Sequence, residues 1–147
     1  MKPVLTLVLA AFLPLAAAAE TPAAPAFAPL KGTEVTLAQF KWEKRPLVVF
    51  ADSPNDPAFK TQMRYLAAHP EMLAERDIVV IADSDPAARS PVREALHPRG
   101  FSLVALDKQG TVAFRKPRPW EVREIAAAID KLPLRREEML QQRPAGR

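Results

Sequence analysis

The 147-residue sequence contains no cysteine. Thiolate nucleophiles, disulfide exchange and cysteine-ligated metals all need a sulfur that this chain does not have. Histidine is scarce, with two in all, and the four methionines are scattered at Met1, Met63, Met72 and Met139. A zinc or copper site therefore lacks ligands, and no cofactor is called for. Long apolar runs are missing too. The longest, Val4 to Leu15, is well short of the roughly 20 residues a membrane-spanning helix needs, so no membrane span is expected. The serines Ser53, Ser84 and Ser90 sit in no nucleophile-elbow motif, which leaves a binding role ahead of catalysis.

What is present begins with an address. Lys2 gives a positive start, Val4 to Leu15 is apolar, and Ala16 to Ala19 ends in small residues before Glu20. This is the pattern of a secretory signal peptide over residues 1–19. A lipoprotein would need a cysteine at the cleavage point, so the expected product is a soluble periplasmic or secreted chain starting near Glu20. Residues 20–34 read as a flexible Ala/Pro-rich leader, residues 35–139 as one domain large enough to bury a core without staples, and residues 140–147 as a disordered tail. The net charge is +4, and removing Lys2 lowers it by one. The basic residues crowd toward the C-terminus, from Arg115 to Arg147, interrupted by Glu121, Glu124, Glu137 and Glu138. Outside the cytoplasm nucleic acid is not the expected counterpart. An anionic lipid, glycan or protein surface is, unless the run is simply a solvated face.

The order of elements follows from periodicity and punctuation. Thr36 to Trp42 reads as a short helical turn whose aromatic pair, Phe40 and Trp42, should dock on the core. Leu47 to Ala51 is a continuous apolar run suited to a strand buried on both faces. Asp56-Pro57 is a cap and first helical residue, and Phe59, Met63, Leu66 and Ala67 then define an apolar helical face that ends before His69-Pro70. Ile78 to Ala82 repeats the strand pattern, so the first two strands should be parallel. Ser90-Pro91 opens a second helix. Phe101 to Leu106 and Thr111 to Phe114 form a hairpin about Asp107 to Gly110, and Trp120 to Ile129 is an amphipathic helix. The predicted order is βαβ followed by ββα, in an α/β fold with a mixed sheet of four or five strands.

That order resembles the thioredoxin-like arrangement. In thioredoxins the first buried strand leads into Cys-Gly-Pro-Cys at a helix start, and here it leads into Asn55-Asp56-Pro57-Ala58. The resemblance keeps the proline while Asn55 and Ala58 stand at the cysteine positions. Gly100-Phe101-Ser102-Leu103 is similar to the segment that carries a thioredoxin's cis-proline, with no proline here. Three stretches carry a narrower resemblance: Arg45 to Phe50, Leu106 to Gly110, and Ile129 to Met139 with its Ile-Asp, Pro and Arg-Arg-Glu spacing. They resemble a thioredoxin-like domain-of-unknown-function family of exported bacterial proteins that is also present in vertebrate extracellular coiled-coil and sushi-repeat proteins. The likeness covers about Leu37 to Met139. It implies fold and compartment but no reaction, since fold alone does not fix function.

Several groups are candidates for a site. Asp52, Asp56, Asp83 and Asp85 follow the two parallel strands, where α/β sheets bind ligands. Asp52, Asp83 and Asp85 could converge on a hard cation, giving a cation-dependent enzyme or small-ligand binder as the alternative function. The competing explanation is that such aspartates cap helices and turns. His69 and His97 sit at helix ends and read as end groups. Arg115, Lys116, Arg118 and Trp120 form a basic-aromatic segment that could grip an anion or a ring, or could simply pack its tryptophan. Lys131 to Arg136, with the Arg135-Arg136 pair, reads as a partner-facing element. Together with the Asn55 to Ala58 loop and Phe101-Ser102 it makes the expected interaction surface for an envelope protein. The oligomeric state is not legible.

Overall fold

The apolar run at the centre of the chain has no polar side to turn toward water, so both of its faces must be covered. The computed structural model describes residues 23–145 and shows how. Its first strand, β1 (Leu30–Lys31), is followed by β2 (Arg45–Phe50), every residue of which is buried. Helix α1 (Pro57–Ala68) and the short α2 (Pro70–Ala74) lead to β3 (Ile78–Asp83), then α3 (Pro91–Leu96). The hairpin β4 (Ser102–Leu106) and β5 (Val112–Lys116) precedes α4 (Val122–Ile129) and α5 (Pro133–Gln141). The sheet is mixed and five-stranded, in the order β1-β3-β2-β4-β5. Strand β2 pairs parallel with β3 and antiparallel with β4.

Alternation along the strands divides the core in two. Leu47, Val49, Leu103 and Ala105 face α1, α2 and α4 through Leu66, Leu73, Val122, Ile125 and Ile129. Val48, Phe50, Val104 and Leu106 face α3 and the N-terminal turns through Val92, Leu96, Val35 and Phe40. The helix starts are closed as the sequence indicates. Asp56 accepts from the N–H groups of Ala58 and Phe59 at 2.8 and 3.3 Å, ahead of Pro57. Ser90 accepts from the Arg93 N–H at 3.1 Å, ahead of Pro91. The β4–β5 turn places Gly110 at φ +85°, a conformation that a side chain disfavours.

Four expectations need correction or a boundary. The leader of residues 20–34 does not stay free over its described length: Phe27 packs on the core, and Leu30 and Lys31 pair with Ile81 and Ala82. Gly32 is buried so tightly that a Cβ there would meet a Val92 methyl at 2.9 Å. Of the aromatic pair, Phe40 is buried, whereas Trp42 is 66% exposed with φ 67°, its N–H bonded to the Lys108 carbonyl at 2.6 Å. That left-handed backbone directs its ring away from the core. The C-terminal tail begins later than residue 140, since α5 runs to Gln141. The signal-peptide residues 1–19 lie outside the described residues, among which no helix is long and apolar enough to cross a membrane.

Candidate functional site

Strand pairing decides which sequence candidates meet. Phe50 lies opposite Ser102, so the loop after β2 and the approach to β4 sit side by side at the C-terminal ends of β2 and β3. Asp52 and Gly100 accordingly line one open depression of ≈660 Å³ with Arg89, Arg93 and Arg99. Asn55 is exposed at the loop's outer edge, Asp56 is committed to the α1 cap, and Pro57 and Ala58 are already helical. Phe101 is half-buried against the core, and Ser102 is buried at the start of β4.

The acidic candidates do not assemble. Asp83 is buried and turned inward, accepting from the Ser90 hydroxyl, from Arg93 Nη2 at 2.9 Å and from Arg93 Nε at 3.2 Å. Arg93 also donates to the Ala51 carbonyl at 3.0 Å and lies 5.3 Å over the Phe50 ring. It ties β2, β3 and α3 together. Asp85 accepts from the Ala87 N–H at 3.1 Å, and Asp52 points to solvent as an exposed residue. Among the described residues no three carboxylate or imidazole groups are placed to share an ion. The physical reason is that Arg93, a residue not singled out from the sequence, takes the Asp83 carboxylate for the core. Its signal was available in the i, i+3 spacing from Ser90.

Arg135 is corrected outright. It is 2% exposed and lies at the opposite end of the sheet, in a cluster of four cations and four carboxylates. Arg45, 1% exposed, donates to the Arg76 carbonyl at 2.8 Å and to Glu138 at 3.0 Å. Lys108 reaches Glu138 at 2.7 Å and Asp77 at 2.8 Å. Arg76 grips Asp130 with a two-pronged contact at 3.0 and 2.9 Å, and Arg135 shares Asp130 at 3.2 Å. Arg136, its neighbour on the helix, is exposed. The pair therefore splits: one arginine builds the fold and the other faces water. Neither is near Asn55 to Ala58.

The basic-aromatic segment resolves in the same manner. Trp120 packs against the core and the Phe114 ring, centroids 5.5 Å apart, with Lys116 Nζ at 4.3 Å from its ring centroid. Gln62, fully buried, accepts from the Trp120 N–H at 2.9 Å and donates to its carbonyl at 2.8 Å. His69 and His97 stand at helix ends as expected, and His97 adopts φ 47°.

A family model described as Domain of unknown function (DUF4174) matches residues 36–138. The chain belongs to that family. No curated protein sequence matches it. Its fold is similar to that of reduced 2-Cys peroxiredoxin from Plasmodium vivax, with TM-score 0.55 and 14% identity over 70% of this chain and 84% of that one. It is also similar to the yeast mitochondrial 1-Cys peroxiredoxin, with TM-score 0.52 and 12% identity over 74% and 100%. Chloroplastic thioredoxin z gives TM-score 0.52 and 16% identity over 71% and 96%. These likenesses establish a thioredoxin-like fold. The stretches by which this DUF4174 domain resembled its family in sequence supply Arg45, Lys108, Asp130, Arg135 and Glu138 to one charge cluster.

The cluster has a pH signature. Burial pushes Glu138 up, but hydrogen bonds and charge from Arg45 and Lys108 outweigh it and hold its carboxyl below the usual range. Asp130 is likewise pushed up by burial and held lower overall by Arg76 and Arg135. Carboxyls depressed in the folded state bind fewer protons than in the unfolded one, so their contribution is present above the unfolded value, near pH 4, and is lost as pH falls through the folded value. Burial lowers Lys108, yet Asp77 and Glu138 raise it overall, so its contribution is lost only as pH climbs through that raised value. Urea midpoints measured from pH 2 to pH 6 should fall on acidification, and Glu138→Gln should flatten that slope. An unchanged slope in the variant would remove Glu138 from the account.

Proposed function

We propose that this domain is a binding module of the cell envelope that works without thiol chemistry and engages a protein partner through its strand-end surface. The observation that carries the proposal is the pairing of Phe50 with Ser102, which sets the cysteine-free Asn55 to Ala58 loop beside the Phe101 segment. Open α/β sheets bind ligands at this edge. The family's fold supports a surface of this kind, and the cysteine-free chain supports a role in holding rather than in thiol redox exchange. Export is supported by Lys2, the apolar Val4 to Leu15 and the small residues before Glu20. Arg135 drops out of the surface because it is buried elsewhere.

The test is position-specific. A photo-crosslinking phenylalanine analogue placed at Asn55 or Phe101 in the exported protein should yield one adduct of the same mass, absent when the probe stands at exposed Trp42 or Leu140. Adducts of identical pattern at all four positions would refute a dedicated strand-end surface. Mass spectrometry of the recovered protein should show a chain starting near Glu20, and an intact residue 1–19 segment would refute the envelope assignment.

A further inference from the structure

A second depression, of ≈330 Å³, lies between the end of α3 and the beginning of β4. Its chemistry is one-sided. Leu96, Phe101 and Pro117 supply apolar lining, Ser102 a hydroxyl, and His97, Arg99 and Arg115 the basic groups, with no carboxylate among the lining residues. Ser102 and Arg115 belong to the same face of the sheet, since their partners Phe50 and Val104 both pack on the α3 side. Asp52 and Glu94 line the neighbouring depression instead.

Arg115 is the informative residue. Its Nη2 donates to the Leu96 carbonyl at 2.8 Å, a contact that fixes the guanidinium without cancelling its charge. At the far end of the molecule the chain does the reverse, setting Arg45, Arg76, Lys108 and Arg135 against carboxylates. A guanidinium held by one neutral contact keeps further N–H donors in a planar fork suited to a carboxylate, and its side-chain freedom is already reduced before a ligand arrives. Arg99 is exposed at the same rim. The apolar lining adjoins the cations, so the complementary ligand carries an apolar group next to its charge.

We propose that this depression binds a carboxylate with an adjoining apolar group. The proposal rests on the binding-module reading and adds the chemistry of what is bound. Two sources offer that chemistry: a peptide ending in a free apolar residue, and a small free carboxylic acid. Amide NMR titration of the purified protein separates them, using acetyl-Ala-Ala-Phe, 3-phenylpropionate and the amide form of each. The expected result is saturable shifts confined to the amides of Leu96–Leu103, Pro98 apart, and of Val112–Lys116 with the acids, and at least tenfold weaker binding of the amide forms. Arg99→Met should weaken the acids at least tenfold; both arginines are exposed, and Arg99 is chosen beside Arg115→Met because Arg115 is tied to the Leu96 carbonyl whereas Arg99 holds no other element in place among the described residues, so folding is kept. Tighter binding of the peptide acid supports a protein partner, and equal binding supports a small-molecule source. Absence of saturable shifts, equal binding of the amides, or unaltered affinity in Arg99→Met would overturn the carboxylate proposal. Strand-end crosslinks obtained alongside such a failure would leave the binding module standing without this ligand, so the two readings fail separately.

Discussion

Glu138→Ala should lower the unfolding free energy by about 3 kcal/mol, the lower end of what breaking a buried ion pair costs, because Glu138 retains 17% exposure. The carboxylate it removes serves Arg45, Lys108 and, at 3.5 Å, Arg135. Arg45 is the vulnerable partner, being fully enclosed with its Nε already lacking a hydrogen-bond partner among the described residues. Without Glu138 a second of its nitrogens loses its contact, and the guanidinium cannot reach water from inside the fold. Glu138→Gln keeps an acceptor for Arg45 but loses the charge, so it should fall between Ala and the parent. Urea unfolding at neutral pH reads the difference. A loss below about 1 kcal/mol in the alanine variant would place this cluster among ordinary surface pairs.

Asp83→Ala should cost about 2–4 kcal/mol, because it takes the carboxylate acceptor from the buried Ser90 hydroxyl and from Arg93 Nε, and one of three acceptors from Arg93 Nη2. Arg93 keeps the Ala51 and Asp83 carbonyls at 3.0 and 3.3 Å, which limits the damage. Since the two side chains act together, Asp83→Ala and Arg93→Met should be clearly non-additive in a double-mutant cycle, by about 1 kcal/mol or more. Additive losses would mean that the pair is not the unit described. The same variants address the acidic-loop reading: if Asp83 served a cation, millimolar Ca²⁺ or Mg²⁺ would raise the parent midpoint and spare the variant. The geometry predicts no such difference.

Much of the fold was legible because it rests on local patterns. A continuous β-branched run such as Leu47 to Phe50 suits a doubly covered strand, and its partner Ile78 to Ala82 repeats it. Asp56-Pro57 and Ser90-Pro91 marked helix starts because a short side-chain acceptor followed by a residue lacking an N–H suits no position better. The two-residue strand β1 is not legible, since Leu30-Lys31 has no periodicity of its own and is a strand only because β3 offers an open edge. Trp42 departs from expectation for a related reason: its exposure goes with a left-handed backbone that aromatic character does not reveal.

The candidate site divides along the same line. By itself the sequence determined that thiol chemistry is absent, that the motif at Asn55 to Ala58 has no cysteines, and that the domain is α/β with a mixed sheet. Only tertiary structure decided where the charges go. Arg45 and Glu138 are 93 positions apart, and nothing local distinguishes the buried Arg135 from the exposed Arg136 beside it. Side-chain periodicity reports which face of an element is apolar. Ion pairing depends on which elements the fold brings together, and that is set by the docking of α5 across the sheet end.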